Sequence, residues 1–162
     1  YELLAGGLAT QPEQSELLYE SALLAEKLGR HEAMEASLRK LIRLKPEHAH
    51  AYNALGYSFA ERNQRLEEAE QLVLKALQLS PDDPFIIDSM GWVLYRKGDN
   101  QGALAHLQRA FSIRPDPEIA AHLGEMLWAL GRRDEAKRIW QEAAKAHPGN
   151  EVLAEVIKRF AP

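Results

Sequence analysis

One period runs the length of this chain. Prolines fall at Pro12, Pro46, Pro81, Pro115 and Pro148, in steps of 34, 35, 34 and 33 residues. Glycines Gly56, Gly91 and Gly124 follow in steps of 35 and 33, and Ala69, Ala103 and Ala136 in steps of 34 and 33. Three residue types that keep one phase through 162 residues mark a repeated unit, and such a unit must stack on its neighbours to bury its apolar face. Between the prolines the apolar residues recur at helical spacing, as in Leu107, Ala110 and Phe111 or Leu123, Met126, Leu127 and Leu130. Gly98 and Gly131 punctuate each unit in the middle. Each period therefore reads as two antiparallel helices joined by a short turn.

The residue types at the fixed positions have mechanical reasons. Glycine inside a helix costs about 1 kcal/mol relative to alanine, so glycines in phase on first helices need a compensating gain. Close approach of the second helix, at the in-phase alanines, supplies it. Pro81 and Pro115 stop second helices, because proline lacks an N–H and fixes φ. Asp83-Pro84 and Asp116-Pro117 then restart helices as an N-cap followed by proline at the first helical position.

The residues Leu55, Gly56, Phe59, Ala69, Ala76 and Pro81 resemble the tetratricopeptide repeat, a 34-residue helix-turn-helix unit. So do Met90, Gly91, Leu94, Gly98, Ala103, Ala110 and Pro115, and again Leu123, Gly124, Leu127, Gly131, Ala136, Ala143 and Pro148. The stretch from Ser15 to Pro46 is a degenerate copy, with Ser21, Ala22 and Met34 at the consensus positions. The resemblance implies an all-α, right-handed superhelical solenoid of antiparallel helix pairs. As a single array it divides into residues 1–12 (the second helix of a truncated repeat), repeats at 13–46, 47–81, 82–115 and 116–148, and a capping helix at 149–162, about ten helices in all. In that last helix Val152, Leu153, Val156, Ile157 and Phe160 form one apolar stripe while Glu151, Glu155, Lys158 and Arg159 face water. The opening at Tyr1, without Met or a signal pattern, reads as a piece of something longer.

Composition narrows the function. Twenty Lys+Arg against 24 Asp+Glu give a net charge of −4, the wrong sign for a protein that lives on phosphate contacts. No run approaches the roughly 18 apolar residues of a membrane span. With no Cys there is no disulfide framework, thiolate nucleophile or zinc ribbon. His31-Glu32-Ala33-Met34-Glu35 has one of the two histidines that a zinc-protease helix needs. His48 and His50 diverge on a helix. Asp88, Ser89 and His122 are the residue types of a hydrolase triad, but no nucleophile-elbow pattern surrounds Ser89. No catalysis, metal or cofactor is expected. The basic clusters Arg39, Lys40, Arg43 and Lys45, and Arg132, Arg133, Lys137 and Arg138, lie among acids and read as solvated outer faces.

Resemblance to the repeat family implies that first helices line a concave groove. That groove would carry Tyr19 and Leu23; His50, Asn53 and Tyr57; Phe85, Asp88, Trp92 and Tyr95; and Ala121, His122, Glu125 and Trp128. Aromatics with polar tips give large contact area at small entropic cost, as peptide-binding surfaces require. Tyr57, Trp92, Tyr95 and Trp128 are expected to be exposed there, with Asn53, Asp88, His122 and Glu125 offering polar contacts to a peptide backbone or a basic side chain. The lysine and asparagine clamp by which chaperone-binding relatives hold a carboxylate is replaced by Tyr19, Leu23, Ala54 and Glu61, which disfavours that partner.

Three stretches resemble something narrower: Asn53–Glu61, Asp88–Arg96 and Glu118–Gly131. They are similar to the C-terminal part of proteobacterial outer-membrane tetratricopeptide lipoproteins, adaptors for a periplasmic carboxyl-terminal processing protease and its cell-wall hydrolase substrates. This resemblance implies a non-catalytic, periplasm-facing adaptor, anchored through an upstream lipid. The alternative is a structural module that caps or oligomerises a longer solenoid, with self-association through Leu3, Leu4 and Leu8.

Overall fold

The computed structural model describes residues 11–162. Its helices are α1 (Gln11–Lys27), α2 (His31–Leu44), α3 (Ala49–Glu61), α4 (Leu66–Leu79), α5 (Pro84–Arg96), α6 (Asn100–Ile113), α7 (Pro117–Ala129), α8 (Arg133–Ala146) and α9 (Glu151–Phe160). No strand occurs among the described residues. The fold is an all-α helical repeat. The expected helix of residues 1–12, with Leu3, Leu4 and Leu8, lies outside the described residues except for Gln11 and Pro12, which open α1.

Helix starts follow the cap residues. The Asp83 carboxylate accepts the N–H groups of Phe85 and Ile86, and Pro84 takes the first helical position of α5. Asp116 accepts the N–H of Glu118 ahead of Pro117 at the start of α7. Asp99 caps α6 and Asn150 caps α9 in the same way. Each such cap contributes about 1 kcal/mol.

The turns inside each helix pair share one hydrogen bond that closes the first helix. Arg30 donates to the carbonyl of Ala25, Gln64 to Phe59, Asp99 to Leu94 and Arg132 to Leu127, all at 2.8–2.9 Å. This closure needs a left-handed residue just past the helix, and Gly29, Gly98 and Gly131 supply it with φ of 72°, 93° and 83°. In the remaining pair Asn63 takes the position with φ 54°, since asparagine tolerates that region better than most residues.

The chain forms two compact units that divide between Ser80 and Pro81. In the N-terminal unit α1 packs on α2, α2 on α3 and α3 on α4. Leu18, Ala22, Met34, Leu38, Leu41, Leu55, Phe59 and Val73 are buried there. In the C-terminal unit α5 packs on α6 and α7, α6 on α7, and α7 on α8, while α9 covers α7 and α8. Its core joins Leu107, Met126, Leu127, Trp140 and Leu153, with Phe160 packed against them.

The in-phase glycines do bring helices together. A Cβ on Gly56 would lie 2.7 Å from Val73 Cγ2 and 2.9 Å from the carbonyl oxygen of Ala69, and one on Gly91 would lie 2.7 Å from Leu107 Cγ and 3.2 Å from the carbonyl of Ala103. At Gly124 the neighbour is different. The indole of Trp140 fills the space over Gly124, so there a large side chain, not the backbone at Ala136, uses the missing Cβ.

His48 starts α3. Its Nδ1 accepts the N–H of Ala51 at 3.1 Å, and its ring lies 5.2 Å from that of Tyr19. Accepting requires an unprotonated Nδ1. Burial, opposed first by a backbone hydrogen bond and helped by the neighbouring His50 and Lys45, lowers the His48 pKa from its ordinary 6.5. The unfolded chain then takes up the proton first, so this contribution to stability is complete above the ordinary value and is lost as pH falls through the folded-state pKa. Between about pH 7 and about pH 5 the natural chain should therefore lose more stability than His48→Asn, whose amide caps without titrating. Urea midpoints followed by circular dichroism across that range test this, and parallel pH profiles for the two proteins would refute it.

Candidate functional site

The expected groove residues fall in both units. In the N-terminal unit Tyr19 meets His48, Tyr57 is half-buried, and Leu23 is exposed. Asn53 is half-buried, and its Oδ1 is buried without a hydrogen-bond partner.

In the C-terminal unit the expected residues come together. His122 Nδ1 on α7 lies 2.9 and 3.0 Å from the two carboxylate oxygens of Asp88 on α5. Trp92 stacks on the His122 ring at 4.3 Å and 23°, and meets Tyr95 at 5.1 Å. The Tyr95 pKa is raised, first by burial and then by the neighbouring Glu125, whose carboxylate also bonds the phenol. Glu125 accepts in turn from the Arg159 guanidinium on α9. Trp128 closes the row, 5.9 Å from Trp140 and 5.7 Å from Phe160, with the Arg133 guanidinium 4.8 Å over its ring.

Two expectations need correction. Trp92 is not an exposed groove aromatic but 4% exposed, closed in by His122, Tyr95 and the Arg96 guanidinium over its face. Asp88 is 5% exposed, because the imidazole covers its carboxylate. Both hold the site from beneath. The Glu125 and Arg159 side chains are 13% and 57% exposed, and Tyr95 and Trp128 are half-buried, so the accessible surface runs along Tyr95, Glu125 and Trp128. Arg159, expected simply to face water, joins that surface. Trp140 and Phe160, which anchor Trp128, also went unread as parts of the site; the aromatic in the apolar stripe of α9 was the available signal.

The catalytic near-misses resolve into structure. The Ser89 hydroxyl donates to the carbonyl of Phe85 on its own helix, while Trp92 covers the imidazole beside Asp88. His31 lies 3.4 Å from the Glu26 carboxylate, and Glu35 accepts from Arg65 and Arg39, so the ends of that segment serve other partners. Among the described residues no three His, Asp or Glu side chains converge on a metal position. No helix there is long and apolar enough to cross a membrane. Members of the basic clusters are ion-paired, Arg39 with Glu68 at 2.7 Å and Arg132 with Glu135.

Two models of the tetratricopeptide repeat match the chain, at residues 19–84 and 94–158. The chain belongs to the tetratricopeptide repeat family. Proteins of this family are typically non-catalytic scaffolds, and their fold mediates protein–protein interaction. A TPR repeat-containing protein of Pseudomonas aeruginosa, PA4667, is 47% identical over 125 residues, which is 77% of this chain. The chain spans 21% of that relative's length. Among solved structures, the thermophilic TPR protein TTC0263 of Thermus thermophilus matches with a TM-score of 0.81 at 25% identity, over 93% of this chain and 81% of the other. Pseudomonas aeruginosa pilF matches with a TM-score of 0.75 at 19% identity, over 92% and 70% of the two chains.

Proposed function

We propose that this tetratricopeptide repeat protein is an adaptor, and that Tyr95, Glu125 and Trp128 of its C-terminal unit hold a partner segment carrying a basic side chain. The observation that carries the reading is the Glu125 side chain, 13% exposed, bonded to the Tyr95 phenol and answered from the outside by a mostly exposed arginine. A partner's cation can take the place of Arg159 there, beside the Tyr95 phenol that bonds the same carboxylate and next to the edge of Trp128. As partner we propose a periplasmic carboxyl-terminal processing protease or its cell-wall hydrolase substrate, with the protein at the outer membrane. The stretches Asp88–Arg96 and Glu118–Gly131 support this by their resemblance to the adaptor lipoproteins. A structural role draws on one observation, the closure of α7 and α8 by α9.

The test is a pull-down from a cell-envelope extract with the natural chain beside Tyr95→Ala/Glu125→Gln. Trp92 is left intact, because its loss would report on packing. A protease or hydrolase should be recovered by the natural chain, with at least about 2 kcal/mol of affinity lost in the variant. Equal recovery by both would move the site elsewhere. Recovery of the bait alone would favour the structural role.

A further inference from the structure

On the far side of α7 lies a pocket of about 260 Å³ between α6 and α8. Leu123 and Leu127 form its floor, with Phe111 and Ile139 as walls. At 100° per residue these leucines sit roughly 150° around α7 from His122 and Glu125, so the pocket is separate from the site above. Its volume falls below the roughly 300–1,000 Å³ of metabolite sites. One bulky apolar side chain is the occupant that fits.

The rim selects what flanks that side chain. Arg132 at the mouth is engaged by Glu135 through paired hydrogen bonds. Arg138, on the same rim and exposed, acts by its charge on that same Glu135 carboxylate, which accepts its hydrogen bonds from Arg132. Two guanidiniums against one carboxylate leave the mouth locally positive on a chain whose net charge is −4. A carboxylate beside the anchor would meet Arg138, whereas a lysine or arginine there would be repelled.

We propose that this pocket docks a segment of a partner protein that inserts one large apolar side chain flanked by acidic residues. The acidic preference is opposite to that of the Glu125 surface, so the two sites can take two different segments.

The experiment titrates the whole chain, with leucine and isoleucine methyls labelled for NMR, with two blocked peptides, Gly-Glu-Phe-Glu-Gly and Gly-Lys-Phe-Lys-Gly. The acidic peptide should shift the methyls of Leu123, Leu127 and Ile139 saturably at millimolar concentration, and the basic one should not. Arg138→Glu, a change at an exposed position, should weaken the acidic peptide by about three- to tenfold and admit the basic one. Glu125→Gln should leave the acidic titration unchanged, which separates this site from the proposed adaptor surface. Equal shifts with both peptides, shifts that avoid these methyls, or no shifts at all would overturn the proposal.

Discussion

Gly124→Ala is expected to destabilise the C-terminal unit by about 3–4 kcal/mol, although the same change in an open helix interior would stabilise it by about 0.5–1 kcal/mol. The added Cβ would fall within the van der Waals radius of the Trp140 indole, against Nε1 and Cε2. That indole has no free direction to move: it is fully buried, stacked on Trp128 and Phe160, and its N–H donates to the carbonyl of Ala121 at 3.3 Å. Displacing it loses the bond and opens space elsewhere in the same core. All three tryptophans, Trp92, Trp128 and Trp140, lie beyond Ser80, so fluorescence during urea unfolding reads this unit by itself. Trp140→Leu is costly alone because it leaves a cavity, but it also removes the obstacle to the new methyl. The double variant should therefore cost clearly less than the sum of the singles. A neutral Gly124→Ala, or strict additivity with Trp140→Leu, would show that the helices part easily here and that the glycine is not required by packing.

Gly124 also shows where sequence reading succeeded and where it stopped. Period and residue type were enough to place the helix pairs, the caps at Asp83 and Asp116, and the need for small residues on first helices, because each follows from a backbone requirement repeated along the chain. The partner of each small residue is not repeated. Ala69 and Ala103 present backbone to Gly56 and Gly91, whereas Trp140 replaces that contact at Gly124, and periodicity is silent on an exception. Asn63 escaped notice for a related reason: the left-handed turn it makes was legible only where glycine marked it. For the site, the resemblance to the repeat family put Asp88, Trp92, Tyr95, His122, Glu125 and Trp128 on inner faces, and in the structure His122 meets Asp88 and Trp92 while Tyr95 meets Trp92 and Glu125. Phase cannot say which member covers which. Burial of Trp92 under His122, and the reach of Arg159 from α9 to Glu125, depend on side-chain contacts between different helices, across 30 and 34 residues of chain.

Asp88→Ala should have the second largest effect, a loss of about 2–4 kcal/mol, and it separates two roles for this carboxylate. The Asp88 and His122 side chains are 7% and 14% exposed, so alanine strips a buried imidazole of the carboxylate that faces it. Asp88→Asn keeps a hydrogen-bonding group in place and should cost only about 1 kcal/mol. The cost of Asp88→Asn measures the charge, and the further loss in Asp88→Ala measures the hydrogen-bonding group. A double-mutant cycle with His122→Ala should return most of the Asp88→Ala loss as coupling between the two residues. This pair ties α5 to α7, which carry Tyr95 and Glu125 respectively. As a positioning residue, Asp88 should influence partner binding only through that geometry: Asp88→Ala should weaken it, and Asp88→Asn should leave it nearly intact. Loss of binding in Asp88→Asn at unchanged stability would instead make the buried carboxylate a direct contact, and would require the Trp92 and His122 rings to open when the partner arrives.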